Sequence, residues 1–130
     1  MDRDTTIHFV RDFLSTNIRE YKWFLDIEPF VKAFIFYGSR AKETNRPDSD
    51  IDILIILPLE KEVAYTTGEY FYTHNGFEIN IVLRSIEKLR SIAQEKTDTI
   101  QKEVFRKAVV IHDTDGEVTS LLREIVMICK

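Results

Sequence analysis

Two acids, Asp50 and Asp52, stand two residues apart in the run Ser49-Asp-Ile-Asp-Ile-Leu-Ile-Ile-Leu57. Side chains of a strand alternate between its faces, so both carboxylates project from one face with Cα atoms roughly 6.5–7 Å apart. Such a pair repels itself unless a cation intervenes, and divalent cations are the usual solution. Ten residues separate Asp50 from Ser39, in the stretch Ala33-Phe-Ile-Phe-Tyr-Gly-Ser-Arg-Ala-Lys42. Gly38 lets the backbone turn sharply and come close to a ligand. Ser39 is expected to cap a helical turn whose free N–H groups favour an anion, and Arg40 and Lys42 add positive charge. Mg²⁺ prefers one or two carboxylates plus the oxygens of a substrate phosphate. The chemistry these residues could do is metal-assisted transfer on a nucleotide phosphate.

Several elements must position them. Phe34 to Tyr37 reads as a short strand buried on both faces and ending at Gly38, and the Asp-bearing run as a second strand closed by Pro58. Thr44 to Ser49 is polar and turn-rich, with Asp48 expected in solvent. Glu69 to Leu83 reads as a hairpin turning at Asn75-Gly76. Its second strand sends Glu78, Asn80 and Val82 to one face and Phe77, Ile79, Ile81 and Leu83 to the other. A carboxylate inside such a run is destabilising unless paired or metal-bound, so Glu78 is a candidate third acid, with Asn80 the neutral alternative. His74, at the turn, is expected to be exposed, as is His8.

Before the first strand, residues 4 to 26 read as one amphipathic helix, with Ile7, Val10, Leu14, Ile18, Tyr21 and Leu25 along a stripe. Asp4, Thr5 or Thr6 could cap it. Its aromatics Phe13, Trp23 and Phe24 are expected to pack on a sheet rather than stack on bases. Leu59 to Thr66 is a connection without a clear pattern. Ser85 opens a helix carrying Ile86, Leu89, Ile92 and Ala93, broken near Thr97-Asp-Thr99. A second helical stretch with Ile100, Val104 and Phe105 precedes a short strand, Val109 to His112. Glu117 to Ile128 is a last helix, apolar widely enough to want cover from the sheet or a partner.

Length and composition bound the rest. The 130 residues, 44% of them hydrophobic, make one domain, 1–130, with a real core. A net charge of −4 does not suit an extended nucleic-acid surface. Cys129 is the sole cysteine, so no intrachain disulfide and no cysteine metal site is expected. No run has the look of a leader or reaches membrane-spanning length, and the cytoplasm is the expected location. With four glycines the chain holds neither G-x-G-x-x-G nor a G-K-[ST] phosphate loop.

Gly38-Ser39 followed at this spacing by Asp50-Ile-Asp52 resembles the signature of the DNA polymerase β-like nucleotidyltransferase superfamily. Within it, the chain is similar to the minimal nucleotidyltransferases and to the N-terminal domain of kanamycin nucleotidyltransferase. The resemblance spans about residues 30 to 112. It implies an α+β fold, a mixed and mainly antiparallel sheet of about four to five strands with helices packed on it. It also implies that Gly38 and Ser39 grip the triphosphate of ATP or another NTP, with Arg40 and Lys42 assisting. Asp50, Asp52 and Glu78 would hold two Mg²⁺ ions, Glu78 from within Phe77-Glu-Ile-Asn-Ile81. One departure is visible: the family often has Arg-Gly where this chain has Lys42-Glu43.

The acceptor is read from the same resemblance. Relatives that modify small molecules carry a second helical domain, for which 130 residues leave no room. The acceptor site is then expected from a homodimer, another chain, or the acceptor itself. Minimal nucleotidyltransferases resemble antitoxins that bind a HEPN-like helical toxin and add AMP to it, so this is the leading expectation. A non-catalytic module that silences a partner by contact, and a dimeric enzyme for aminoglycoside-type hydroxyls, are the alternatives.

Overall fold

The structure, a computed structural model, describes residues 2–62, 69–95 and 100–128, and the side chains of all of these except 101, 127 and 128. The elements run α1 (Arg3–Ser15), α2 (Lys22–Ile27), β1 (Ala33–Tyr37), α3 (Ser39–Lys42), β2 (Ile51–Leu57) and α4 (Leu59–Glu62). They continue as β3 (Glu69–His74), β4 (Phe77–Ser85), α5 (Ile86–Gln94), α6 (Ile100–Glu103), β5 (Val109–Asp113) and α7 (Glu117–Ile128). One five-stranded sheet in the order β3-β4-β2-β1-β5 carries them. Only β2 and β4 run parallel; the other neighbours are antiparallel. This is the α+β, mainly antiparallel architecture that the sequence implied.

β2 lies at the centre because nearly every residue in it is apolar. Ile51, Ile53, Ile55 and Leu57 face α1 and α2, packing with Phe36, Ile79, Ile81 and Leu83. Leu54 and Ile56 face the other way, into a second cluster with Ile35, Val82, Leu89, Val118 and Ile125 from β1, β4, α5 and α7. A strand covered on both faces needs apolar side chains in both phases of its alternation. Asp52 is the exception, and it marks where the second face stops being core.

The hairpin forms as its dipeptide demands: Asn75 and Gly76 both take positive φ, 51° and 82°, which a two-residue turn of the primed type requires. Ser85 caps α5 by accepting from Lys88 N at 3.1 Å. Phe13 and Phe24 are buried as core, as expected of them. Trp23 stacks flat on Tyr70, centroids 4.0 Å apart, and donates from Nε1 to the Tyr72 hydroxyl at 2.6 Å, which ties α2 to the hairpin.

Several expectations are corrected. The single helix over 4–26 is broken: α1 ends at Ser15, a 3₁₀ turn spans Asn17–Glu20, and α2 follows, before a second 3₁₀ turn at Glu28–Phe30. Ser15 and Thr16 hydroxyls donate back to the carbonyls of Arg11 and Asp12, at 2.7 and 2.8 Å, a local competition that weakens helix continuation. Asp2 caps α1 in place of Asp4, Thr5 or Thr6. The new phase leaves Leu25 exposed. Ile100 is exposed as well, while Phe105 is buried. His74 is half-buried rather than exposed, its ring against Phe9 and Phe13 at 5.5 and 5.6 Å. The break expected at Thr97-Asp-Thr99, the end of the 59–66 connection, Cys129 and the side chains of Met127 and Ile128 lie outside the described residues.

Candidate active site

Register brings the candidate residues together. Tyr37, the last residue of β1, pairs with Asp52 of β2, and Asp52 pairs with Asn80 of β4. The three form one row across the sheet, on the face that carries Leu54 and Val82 one step further in. Asp50 precedes β2 by one residue.

Gly38 follows Tyr37 with φ 86° and ψ −161°, a conformation that L side chains rarely adopt. A Cβ added there would run into Asp52 Oδ2 and stand 3.1 Å from its Cγ. Glycine is needed for two reasons at once: the turn, and the room it leaves for the carboxylate. Gly38 also occupies the N-cap place of α3, so Ser39 is the first residue of that turn and its side chain caps nothing. The expected cap at Ser39 is corrected accordingly; the positive φ moves the boundary one residue back.

Asp52 is pushed up to about 6, first by burial and then by the negative charge of Asp50, against which an Asn80 hydrogen bond acts. Burial, with the Asp52 charge second, pushes the Tyr37 phenol up to about 12. Asn80 Oδ1 is buried and has no hydrogen-bond partner. A buried carbonyl oxygen without a donor is costly, about 1–3 kcal/mol. Beside an electrostatically strained carboxylate pair, it is suited to a cation. Among the described residues no three of His, Cys, Asp and Glu converge closely enough to hold a metal. Glu78 is exposed, opposite Thr73 at the outer end of β4, and does not join the pair.

The cations have mixed placements. Arg40 is buried, donating from Nε to Ser49 O at 2.9 Å and from Nη2 to Pro47 O at 3.1 Å, with its guanidinium 5.6 Å from the Phe77 ring centre. It thus secures the loop that delivers Asp50. Lys42 stands 3.9 Å from Glu103 Oε1, a long ion pair. Glu43 ends α3 with φ 63° and ψ 29°, the left-handed conformation that glycine adopts freely and a residue with a side chain adopts at some strain.

Inward of the row, a half-open cleft of about 490 Å³ lies between the sheet and α5. Asn80 and Tyr37 form its border with the site, Leu54, Ile56 and Val82 its floor, and Arg84 and Lys88 its cationic side. Sequence reasoning missed Tyr37, Arg84 and Lys88. The period-two alternation of β4 puts Arg84 on the same face as Asn80, a signal present in the sequence; the cleft itself is a product of packing.

A five-stranded sheet with a glycine-bounded acidic pair at one end is the frame of a nucleotidyl-transfer domain. The nucleotidyltransferase domain family matches residues 18–126, and the chain belongs to that family. Its fold is similar to the crystal structure of a nucleotidyltransferase-like protein from Exiguobacterium sibiricum 255-15, with a TM-score of 0.55 and 11% identity over 75% of this chain. The match covers 33% of that protein, so the present chain spans about a third of its length. No curated protein matches the chain. No helix among the described residues is long and apolar enough to cross a membrane.

Proposed function

We propose that this chain moves a nucleoside monophosphate, AMP first among them, from an NTP to a hydroxyl acceptor, with Mg²⁺ as the metal. The single observation that carries this reading is the convergence of Gly38, Asp52 and Asn80. A backbone stripped of its Cβ, a carboxylate disfavoured by burial and by Asp50, and an amide oxygen without a donor share one point. Asp50, Asp52 and Asn80 Oδ1 would hold the metal, whose bound charge would relieve the pair and polarise the phosphoryl oxygens. Asn80 takes this role ahead of Glu78 because it stands in register with Asp52.

Gly38 and Ser39 receive the triphosphate at the outer end of the row. Arg40 acts as a positioning residue, holding the Ser49–Asp50 approach, and Lys42, held only by a long ion pair to Glu103, is the charge left for the phosphates. Positioning supplies most of the acceleration in such transfers, since the chain itself has little covalent chemistry to do.

The test is transfer of label from α-labelled ATP in a cell lysate, with Mg²⁺ and with variants at each position. Asp50→Asn and Asp52→Asn are expected to lose transfer by about a thousandfold, several kcal/mol of charge stabilisation. Asn80→Ala is expected to lose more than Glu78→Gln. Full transfer by both aspartate variants would refute the scheme. The acceptor classes separate in the same lanes. Label on a small helical protein supports the antitoxin reading, in which a HEPN-like partner is modified; label on a small compound supports a homodimeric or single-chain small-molecule enzyme. Loss of a partner's toxicity without label leaves only contact.

A further inference from the structure

The cleft inward of Asn80 carries two cations, Arg84 and Lys88, against a single acid. Arg84 donates to the carbonyl of its neighbour Leu83 at 2.8 Å, and among the described residues neither it nor Lys88 forms a salt bridge. Glu69 shares the rim, so the three side chains leave one net positive charge. Meanwhile Arg40, which the sequence offered to the triphosphate, is committed to loop carbonyls.

Position along the strands assigns the cleft. Gly38 lies one residue beyond the row of Tyr37, Asp52 and Asn80; Val82 and Arg84 lie two and four residues to the other side of it. Four strand residues span about 13 Å. In-line displacement at phosphorus requires the entering and leaving oxygens on opposite sides of it. With pyrophosphate leaving over Gly38-Ser39, the entering hydroxyl comes from the cleft. We propose that this cleft is the acceptor subsite, and that the acceptor is a small hydroxyl compound carrying a phosphate or carboxylate, bound by Arg84 and Lys88. The inference rests on the nucleotidyl-transfer reading.

In the step, the acceptor oxygen forms a bond to the α-phosphorus, the bond from that phosphorus to the bridging oxygen breaks, and pyrophosphate departs. The hydroxyl proton passes to the site carboxylates. The apolar floor of Leu54, Ile56 and Val82 takes the carbon skeleton, and a cleft of about 490 Å³ is the size of a small-molecule site. The net positive charge of the cleft lining disfavours a polycationic acceptor of the aminoglycoside kind.

The experiment uses two probes that differ only in a phosphate, ribose and ribose 5-phosphate, titrated into the whole protein loaded with Mg²⁺ and a non-hydrolysable ATP analogue. Ribose 5-phosphate is expected to bind at least about tenfold more tightly, the worth of one charge-assisted contact. Arg84→Gln/Lys88→Gln, and the exposed single change Lys88→Glu, should shrink that gap to about twofold while ATP-analogue affinity holds within the same factor. Equal binding of the two sugars to the wild type overturns the proposal. So does a variant that loses the ATP analogue instead of the sugar phosphate, which would give the cleft to the nucleotide. A wild-type protein that binds no ATP analogue would sink the nucleotidyl-transfer reading itself, an outcome read separately from the sugars.

Discussion

The two faces of β2 obey opposite rules. Toward α1 and α2, Ile51, Ile53, Ile55 and Leu57 are buried from one end of the strand to the other, and nothing polar interrupts them. Toward α5 and α7, the same strand is core at Leu54 and Ile56 and then presents Asp52 beside Asn80 and Tyr37. One face holds the molecule together; the other gives up stability at its outer end in return for a charged site. A partly buried acid beside another acid lowers stability, so its presence in the strand that anchors the sheet makes it a candidate for chemistry.

Among changes that leave every charge in place, Gly38→Ala should have the largest effect, on the working face. The added Cβ enters the space of the Asp52 carboxylate in a backbone conformation unfavourable to alanine. Transfer is expected to fall by roughly a hundredfold or more, the usual result of displacing a reacting group by about an ångström. A labelled-nucleotide assay checks it, alongside circular dichroism to show the fold retained. Near-normal transfer would mean that the cradle is not where the phosphates lie.

On the structural face the outcome should invert. Ile53→Ala is expected to destabilise by about 2–5 kcal/mol, while the fraction that stays folded transfers nucleotide normally. Denaturant unfolding and activity per folded molecule measure the two halves. If specific activity collapses while stability holds, the faces are not separable in this way.

The smallest effect is a pH dependence. Asp52 is held at about 6 in the folded protein against its ordinary 3.8, so the folded state binds a proton that the unfolded chain has already lost. The stability this group contributes is therefore complete below about pH 4 and is lost as pH rises through 6. The full shift corresponds to roughly 3 kcal/mol, and screening of a carboxyl partly open to water reduces it to about 1–2 kcal/mol. In chelator-treated protein, Asp52→Asn should gain that much on the wild type between pH 4 and pH 7. A constant difference across the range would show that the carboxylate is not disfavoured by its surroundings.

Much of this was legible in the chain. The strands of β1, β2 and the hairpin announce themselves through apolar runs and Asn75-Gly76, because local preference and burial pattern agree there. The failures cluster where they disagree. The stripe from Ile7 to Leu25 has a continuous helical period, yet hydroxyl back-bonding at Ser15 and Thr16 breaks the helix and turns Leu25 outward. His74 looked like a turn residue and is packed by Phe9 and Phe13, aromatics far away in sequence. Arg40 looked like a phosphate ligand and is spent on the carbonyls of Pro47 and Ser49.

By itself the sequence determined which residues alternate with which along each strand, where the backbone had to turn, and that two acids would share a face. Those are short-range consequences of covalent geometry and of the strand's period of two. Only the tertiary structure decided that Asn80 rather than Glu78 stands level with Asp52, that Gly38 closes against that carboxylate, and that Arg84 and Lys88 border an open cleft. Register between separate strands and the space left under a helix depend on how the whole core packs, and no local pattern specifies either.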